Sequence, residues 1–77
     1  MSIIIWSKFD CSFCERAKYE FKKRDLSYEE RIIGGGWTKE QLLEVVPSAR
    51  SVPQIFIDET YVGGYTELMK SGKLDSQ

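Results

Sequence analysis

Apolar residues fall along this chain in two rhythms, and the alternation between them predicts the order of elements. Met1 to Trp6 is nearly all apolar, with Ile3-Ile4-Ile5-Trp6 at its end. It reads as a central strand covered on both faces. Ser7 to Asp10 reads as a polar turn. Phe13, Ala17 and Phe21 then recur every four residues, which gives a helix one buried face. Glu15, Arg16, Lys18, Glu20, Lys22 and Lys23 form its solvated side. Ser12 and Glu15 have capping-box spacing, so this helix is expected to start near Cys11. Ser27 to Ile33 is a second strand with weaker alternation, and Gly34-Gly35-Gly36 is a flexible connector.

Thr38 and Gln41 form another capping pair. They open a helix through Leu42, Leu43, Val45 and Val46, which Pro47 stops. Val52 to Ile57 is a third strand, with Pro53 near its start, where a missing N–H is tolerated. Asp58-Glu59-Thr60 turns the chain into a short fourth strand at Tyr61 and Val62, which Gly63-Gly64 breaks. Tyr65 to Ser71 closes as a short helix, and Gly72 to Gln77 is expected to be a frayed tail. The order is βαβαββα. It predicts an α/β fold with a mixed four-stranded sheet and flanking helices, the first two strands parallel and the last two a hairpin.

Seventy-seven residues bound this to one small domain, 1–77, with one modest core. The net charge of −1 provides no basic field for nucleic acid. No apolar run is long enough to span a membrane. The N-terminus lacks a charged lead and a cleavage site, so no signal peptide is expected and the protein is expected in the cytoplasm.

Composition matters most at Cys11-Ser12-Phe13-Cys14, which holds the only two cysteines of the chain. A structural zinc site needs four ligands. With no histidine and no third cysteine, one chain cannot build it. The loop the pair would close is also too short for much chain-entropy stabilisation. Two inert core thiols are the other bland reading, and Asp10 and Ser12 beside Cys11 argue against it. A thiol pair where a strand hands over to a helix is a redox layout, because the first cysteine meets unpaired N–H groups and the positive end of the helix dipole. In that reading Cys11 attacks and Cys14, one turn on and more buried, resolves the mixed disulfide. Lys8 is placed to help stabilise the Cys11 thiolate. Lowering a thiol pKa from ~8.5 to ~5 raises the thiolate fraction at neutral pH roughly thirtyfold. Intrinsic nucleophilicity falls roughly fiftyfold over the same shift. The net gain is therefore in leaving-group quality rather than in attack.

Two further segments have a plain and a functional reading. Ser51-Val52-Pro53 is either an ordinary strand start or a cis Val52–Pro53 bond that leaves the Val52 backbone free to pair with an extended peptide. Gly63-Gly64-Tyr65-Thr66-Glu67 is either a glycine break or a helix start that holds a carboxylate. Gly34-Gly35-Gly36 lacks the pattern of a phosphate-binding loop.

Taken together, the cysteine pair, Ser-Val-Pro-Gln-Ile-Phe-Ile-Asp and Val-Gly-Gly-Tyr-Thr resemble glutaredoxins in order and rough spacing, from Ile3 to about Met69. The resemblance implies a thioredoxin-like fold and a glutathione-dependent thiol–disulfide oxidoreductase. Glutathione would be the cosubstrate, and disulfide-bearing or glutathionylated proteins the partners, with ribonucleotide reductase a candidate client. The Trp-Cys-Gly-Pro-Cys site of thioredoxin itself is absent. Carried over by position, Cys11 matches the nucleophile and Cys14 the resolving cysteine, while Lys8 matches a basic residue near the site. Arg50 matches a position that binds the glycine carboxylate of glutathione. Val52 matches the residue whose backbone pairs with the glutathione cysteine, and Pro53 the cis-proline. Gly64, Tyr65, Thr66 and Glu67 match the segment holding the γ-glutamyl end.

The departures are Ser12 and Phe13 in place of proline and tyrosine, Ser51 in place of threonine, and Glu67 in place of aspartate. Phe13 keeps the ring at its position and loses the hydroxyl. Some glutaredoxins without that proline bind a [2Fe–2S] cluster between two protomers. That alternative implies a carrier or sensor, whereas the dithiol reading expects a monomer with no metal. A non-catalytic thioredoxin-like binding module is a third reading, against which the intact cysteine pair argues.

Overall fold

The computed structural model describes residues 1–75. Its elements are β1 (Ile3–Lys8), α1 (Ser12–Lys23), β2 (Glu29–Ile33), α2 (Lys39–Val45), β3 (Gln54–Ile57), β4 (Thr60–Gly63) and α3 (Tyr65–Ser71). The expected order βαβαββα stands. The strands lie in the order β2-β1-β3-β4, with β1 parallel to β2 and antiparallel to β3, and β3 antiparallel to β4.

The strand period explains the layers. Ile3 and Ile5 of β1 join Ile55 and Ile57 of β3 beneath Ala17 and Phe21 of α1 and Leu68 of α3. Ile4 and Trp6 face the other way, against Leu42 of α2, Val46, Trp37 and Phe56. Each face of the sheet thus has its own apolar cluster, and β1 lies between them. On the α2 face the register sets Arg31 opposite Trp6. The Arg31 guanidinium lies 5.2 Å from the Trp6 ring centroid and 4.4 Å from that of Trp37, and the two rings meet edge to face at 5.2 Å. Such cation–ring contacts contribute about 0.5–2 kcal/mol each, more where water is excluded.

The first strand runs two residues further than the apolar run suggested. Ser7 stays in the ladder, fully buried, because its hydroxyl donates to Glu30 Oε2 at 2.7 Å. Lys18 of α1 reaches the same carboxylate at 2.9 Å and Glu15 at 2.7 Å. Burial alone would raise the Glu30 carboxyl, but hydrogen bonds from Lys18 and Ser7 outweigh it and hold the group below its ordinary value. Burial likewise disfavours charge on Lys18, and the bonds to Glu15 and Glu30 reverse that. This network ties α1 to β1 and β2.

The glycine connector is a held turn rather than a flexible one. Gly35 and Trp37 both donate to the Ile32 carbonyl, at 2.9 and 3.3 Å, and Gly34 donates to the Trp37 carbonyl at 2.9 Å. A Cβ at Gly35 would lie 3.1 Å from both Ile32 Cγ2 and Phe9 Cζ, so the missing side chain lets the two loops pack. The Thr38–Gln41 capping box of α2 forms as expected. The β3–β4 turn places Asp58 and Glu59 at φ 50° and 68°, and Asp58 is pinned to the backbone of Ser2 from both sides.

Two expectations at the α1 end and the tail are corrected. Glu20 is buried rather than solvated, bonded to Arg24 and Lys23. The Arg24 hydrogen bond is the largest influence on its carboxyl and, against opposing burial, keeps it below the ordinary range. Gly72 to Asp75 is not frayed. Gly72 ends α3 at φ 67°, Leu74 is buried in the α1-face cluster, and Asp75 pairs with Arg24 at 2.9 Å. Residues 76–77 lie outside the described residues. We expect Leu74→Ala to destabilise the fold by about 2–4 kcal/mol, as for a buried leucine, in urea unfolding followed by circular dichroism. A loss below about 0.5 kcal/mol would mean that the tail contributes nothing to the core.

Candidate functional site

The site begins at the N-terminus of α1. Cys11, not Ser12, is the N-cap, with extended backbone (φ −114°, ψ 106°). Its carbonyl accepts from Glu15 N–H at 3.1 Å, and its sulfur accepts from Cys14 N–H at 3.2 Å. The expected Ser12–Glu15 box is therefore replaced by a sulfur cap, and the Glu15 carboxylate goes to Lys18 instead. Cys11 and Cys14 are joined in a disulfide, with Cα atoms 5.2 Å apart. Cys14 is fully buried, whereas Cys11 retains 8 % exposure. An incoming group can thus reach only the first sulfur.

The cap also fixes the helical phase. Cys14, Ala17 and Phe21 point inward. Phe13, expected on that buried face, sits about 100° round the helix from Cys14 and is 50 % exposed. Its ring lies 5.9 Å from that of Tyr65, with the Arg16 guanidinium 5.2 Å from its centroid.

Facing Cys11 is the loop before β3. Cys11 Sγ lies 3.7 Å from the Val52 carbonyl oxygen, and the Val52–Pro53 bond is cis, as the functional reading expected. Beneath this loop runs a chain of side chains that sequence reasoning missed. Tyr61 of β4 donates its hydroxyl to Gln54 Oε1, and Gln54 Nε2 donates to the Ser51 carbonyl at 2.8 Å. Burial, with the nearby Glu67 carboxylate, pushes the Tyr61 hydroxyl above its ordinary pKa, so it stays a donor. The signal was present: Gln54 is the one polar residue in the inward-facing strand Gln-Ile-Phe-Ile, and it is buried.

The third wall is the start of α3. Glu67 Oε1 accepts from Gly64 N–H at 2.8 Å, so the carboxylate folds back over the chain. At Gly63, φ is 120° and a Cβ would come within 2.8 Å of Glu67 Cβ. Only glycine fits there. Phe13, Ser51, Val52, Pro53, Gly64, Tyr65, Thr66 and Glu67 together line one hollow of about 170 Å³. Lys8 and Arg50 are not part of it. They line a neighbouring hollow of about 180 Å³ that shares Ser51 and Val52 with the first. Among the described residues no cluster of three or more histidine, cysteine or acidic side chains could hold a metal ion.

The glutaredoxin family model matches residues 3–62. This chain belongs to the glutaredoxin family. It is 35 % identical over 79 residues to Glutaredoxin 1 of Rickettsia prowazekii, covering 96 % of this chain and 83 % of that protein. The structure of Glutaredoxin 1 from Francisella tularensis superposes with a TM-score of 0.84 at 26 % identity, covering 99 % and 98 % of the two chains. A buckwheat glutaredoxin in complex with glutathione superposes with a TM-score of 0.81 at 26 % identity, covering 96 % and 73 %. The chain spans about half the length of the rice and mitochondrial glutaredoxins that it also matches, 48–59 % of each. The thioredoxin-like fold expected from the sequence is therefore that of its glutaredoxin relatives.

Two outcomes follow from the geometry. In the reduced Cys14→Ser variant, Cys11 should titrate well below the free-thiol value of ~8.5, because a thiolate is a better acceptor for the capping N–H than a thiol. Thiolate absorbance against pH measures it, and a value at or above ~8.5 would show that the cap does not activate the sulfur. Gln54→Ala should leave the Ser51 carbonyl and Tyr61 hydroxyl without partners and lower stability by about 1–3 kcal/mol in urea unfolding. Unchanged stability would mean that the loop holds its shape without Gln54.

Proposed function

We propose that this glutaredoxin-family chain is a glutathione-dependent thiol–disulfide oxidoreductase that reduces protein disulfides and glutathione mixed disulfides. The carrying observation is the asymmetry of the pair: one reachable sulfur capping a helix and facing the Val52 carbonyl, one sulfur buried a turn behind it. The likeness to a glutaredoxin bound to glutathione supports the choice of cosubstrate.

In the dithiol route the Cys11 thiolate attacks one sulfur of the client disulfide, and the other client sulfur leaves as a thiolate. Cys14 gives up its proton and attacks Cys11 Sγ, releasing the second client thiolate. The client disulfide has gained two electrons, and Cys11–Cys14 is now a disulfide. Two glutathione thiols return it to the dithiol and become glutathione disulfide. In the monothiol route Cys11 takes the glutathionyl group from an adduct, and a second glutathione resolves it.

In this reading the tripeptide lies along the loop at Ser51 and Val52, its cysteine pairing with the Val52 backbone beside Pro53. Its γ-glutamyl end lies at Gly64, Tyr65, Thr66 and Glu67, and Phe13 forms the rim. Its glycine carboxylate meets Arg50 and Lys8, an arginine–carboxylate pair being geometrically matched and charge-assisted. Because the Glu67 carboxylate already accepts from Gly64 N–H through Oε1, its other oxygen is the one open to the ligand ammonium.

Cys11→Ser should abolish reduction of both a protein disulfide and a small glutathione mixed disulfide. Cys14→Ser should lose the first activity and keep or modestly raise the second, since removing Cys14 stops the intermediate from diverting into the internal disulfide. Turnover of both substrates by both variants checks this. Full deglutathionylation by Cys11→Ser would reverse the roles. Loss of both activities in Cys14→Ser would exclude glutathione as the resolving thiol.

A further inference from the structure

The hollow holding Lys8 and Arg50 is more than a carboxylate contact. Its walls include Ile33 of β2, Leu42 and Leu43 of α2, Ala49 and Val52, and its cations are Lys8, Lys39 and Arg50, with no acidic side chain among the lining residues. Among the described residues none of these three cations is in an ion pair. Lys39 opens α2, where the helix dipole disfavours a positive charge. Its placement is therefore not explained by helix stability. At about 180 Å³ the hollow is smaller than the ~300–1,000 Å³ of small-molecule pockets. It suits one or two side chains. It adjoins the glutathione hollow, sharing Ser51 and Val52 with it.

We propose that this hollow is a client subsite that takes an aliphatic side chain, with a carboxylate beside it, from the residues immediately C-terminal to the client's reactive cysteine. The direction rests on the glutathione reading above. If the γ-glutamyl end lies at Gly64–Glu67 and the glycine end at Arg50, a client cysteine at Val52 sends its following residues into this hollow. The apolar walls then bury the aliphatic group, and Lys8, Lys39 and Arg50 meet the carboxylate. Glutathione, which ends at glycine, leaves the apolar part unfilled. Protein clients with that pattern therefore gain contacts that the tripeptide lacks.

The test is an exchange equilibrium at Cys11 in the Cys14→Ser protein, where mixed disulfides accumulate. The probes are three blocked peptides: Gly-Cys-Leu-Leu-Glu, Gly-Cys-Ser-Ser-Glu and Gly-Cys-Leu-Leu-Lys. Each displaces glutathione from the Cys11 mixed disulfide, quantified by mass spectrometry. Each value is divided by that peptide's exchange with free glutathione disulfide, which removes differences in intrinsic thiol reactivity. The Leu-Leu-Glu peptide should be favoured over Ser-Ser-Glu by at least about tenfold, the scale of burying one aliphatic side chain. It should also be favoured over Leu-Leu-Lys, and Lys39→Glu should shrink or invert that second preference. Leu43→Ser, at a partly exposed position, should shrink the first. Equal normalised exchange of all three peptides would overturn the subsite. Sorting of the peptides supports it even if glutathione binds Cys11 no better than a simple thiol, an outcome that would instead count against the glutathione reading.

Discussion

The N–H of Cys14 lies inside the first turn of a helix, where no backbone carbonyl can receive it. The sulfur of Cys11 receives it instead, and much of the site follows. A sulfur in that role must stand at the N-cap, which turns Cys14 inward and Phe13 outward. It also holds the reactive atom at the positive end of α1, where a thiolate is a better acceptor than a thiol. The contact that starts the helix and the contact that prepares the thiol are the same one.

That arrangement works only if the three loops around the sulfur are fixed relative to one another, and the fold holds each by a different means. The Lys18–Glu30–Ser7 network ties α1 down onto β1 and β2. Gln54 and Tyr61 support the Ser51–Val52 loop from within the sheet. Glu67 closes the α3 start over Gly63 and Gly64. Among the described residues the buried polar side chains Ser7 and Gln54 belong to these supports and Glu20 to the far end of α1, each of them paired. Leaving one such group unpaired costs more than its pairing contributes, so each contact resists being lost singly.

The element order and the two-sided burial of β1 were legible because strands and helices carry different apolar periods, and β1 carries an uninterrupted one. Both cysteines, Val52–Pro53 and the Gly64–Glu67 segment were legible as motifs. Much of what was not legible depended on partners distant in sequence. Ser7 looked like a turn residue because its acceptor, Glu30, lies on another strand. Glu20 looked solvated because Arg24, its partner one turn on, is itself paired with Asp75 of the C-terminal segment. Leu74 looked like tail because nothing local says that it returns to the core. Phe13 was put on the wrong face through its four-residue spacing to Ala17. The spacing to Cys14 and Phe21 sets the true phase, and reading it requires knowing that a cysteine caps the helix. Lys8 and Arg50 were found as candidates, yet their separation into a second hollow is a tertiary fact.

The stack of Arg31 on Trp6 and Trp37 has an optical consequence. Both tryptophans of the chain lie in the apolar cluster on the α2 face, across the sheet from the helix that carries the cysteines. Tryptophan emission therefore reports on α2, the glycine turn and the edge strand β2. Loosening of α1 or of the C-terminal segment would leave the indole environment almost unchanged and would pass nearly dark in a fluorescence trace.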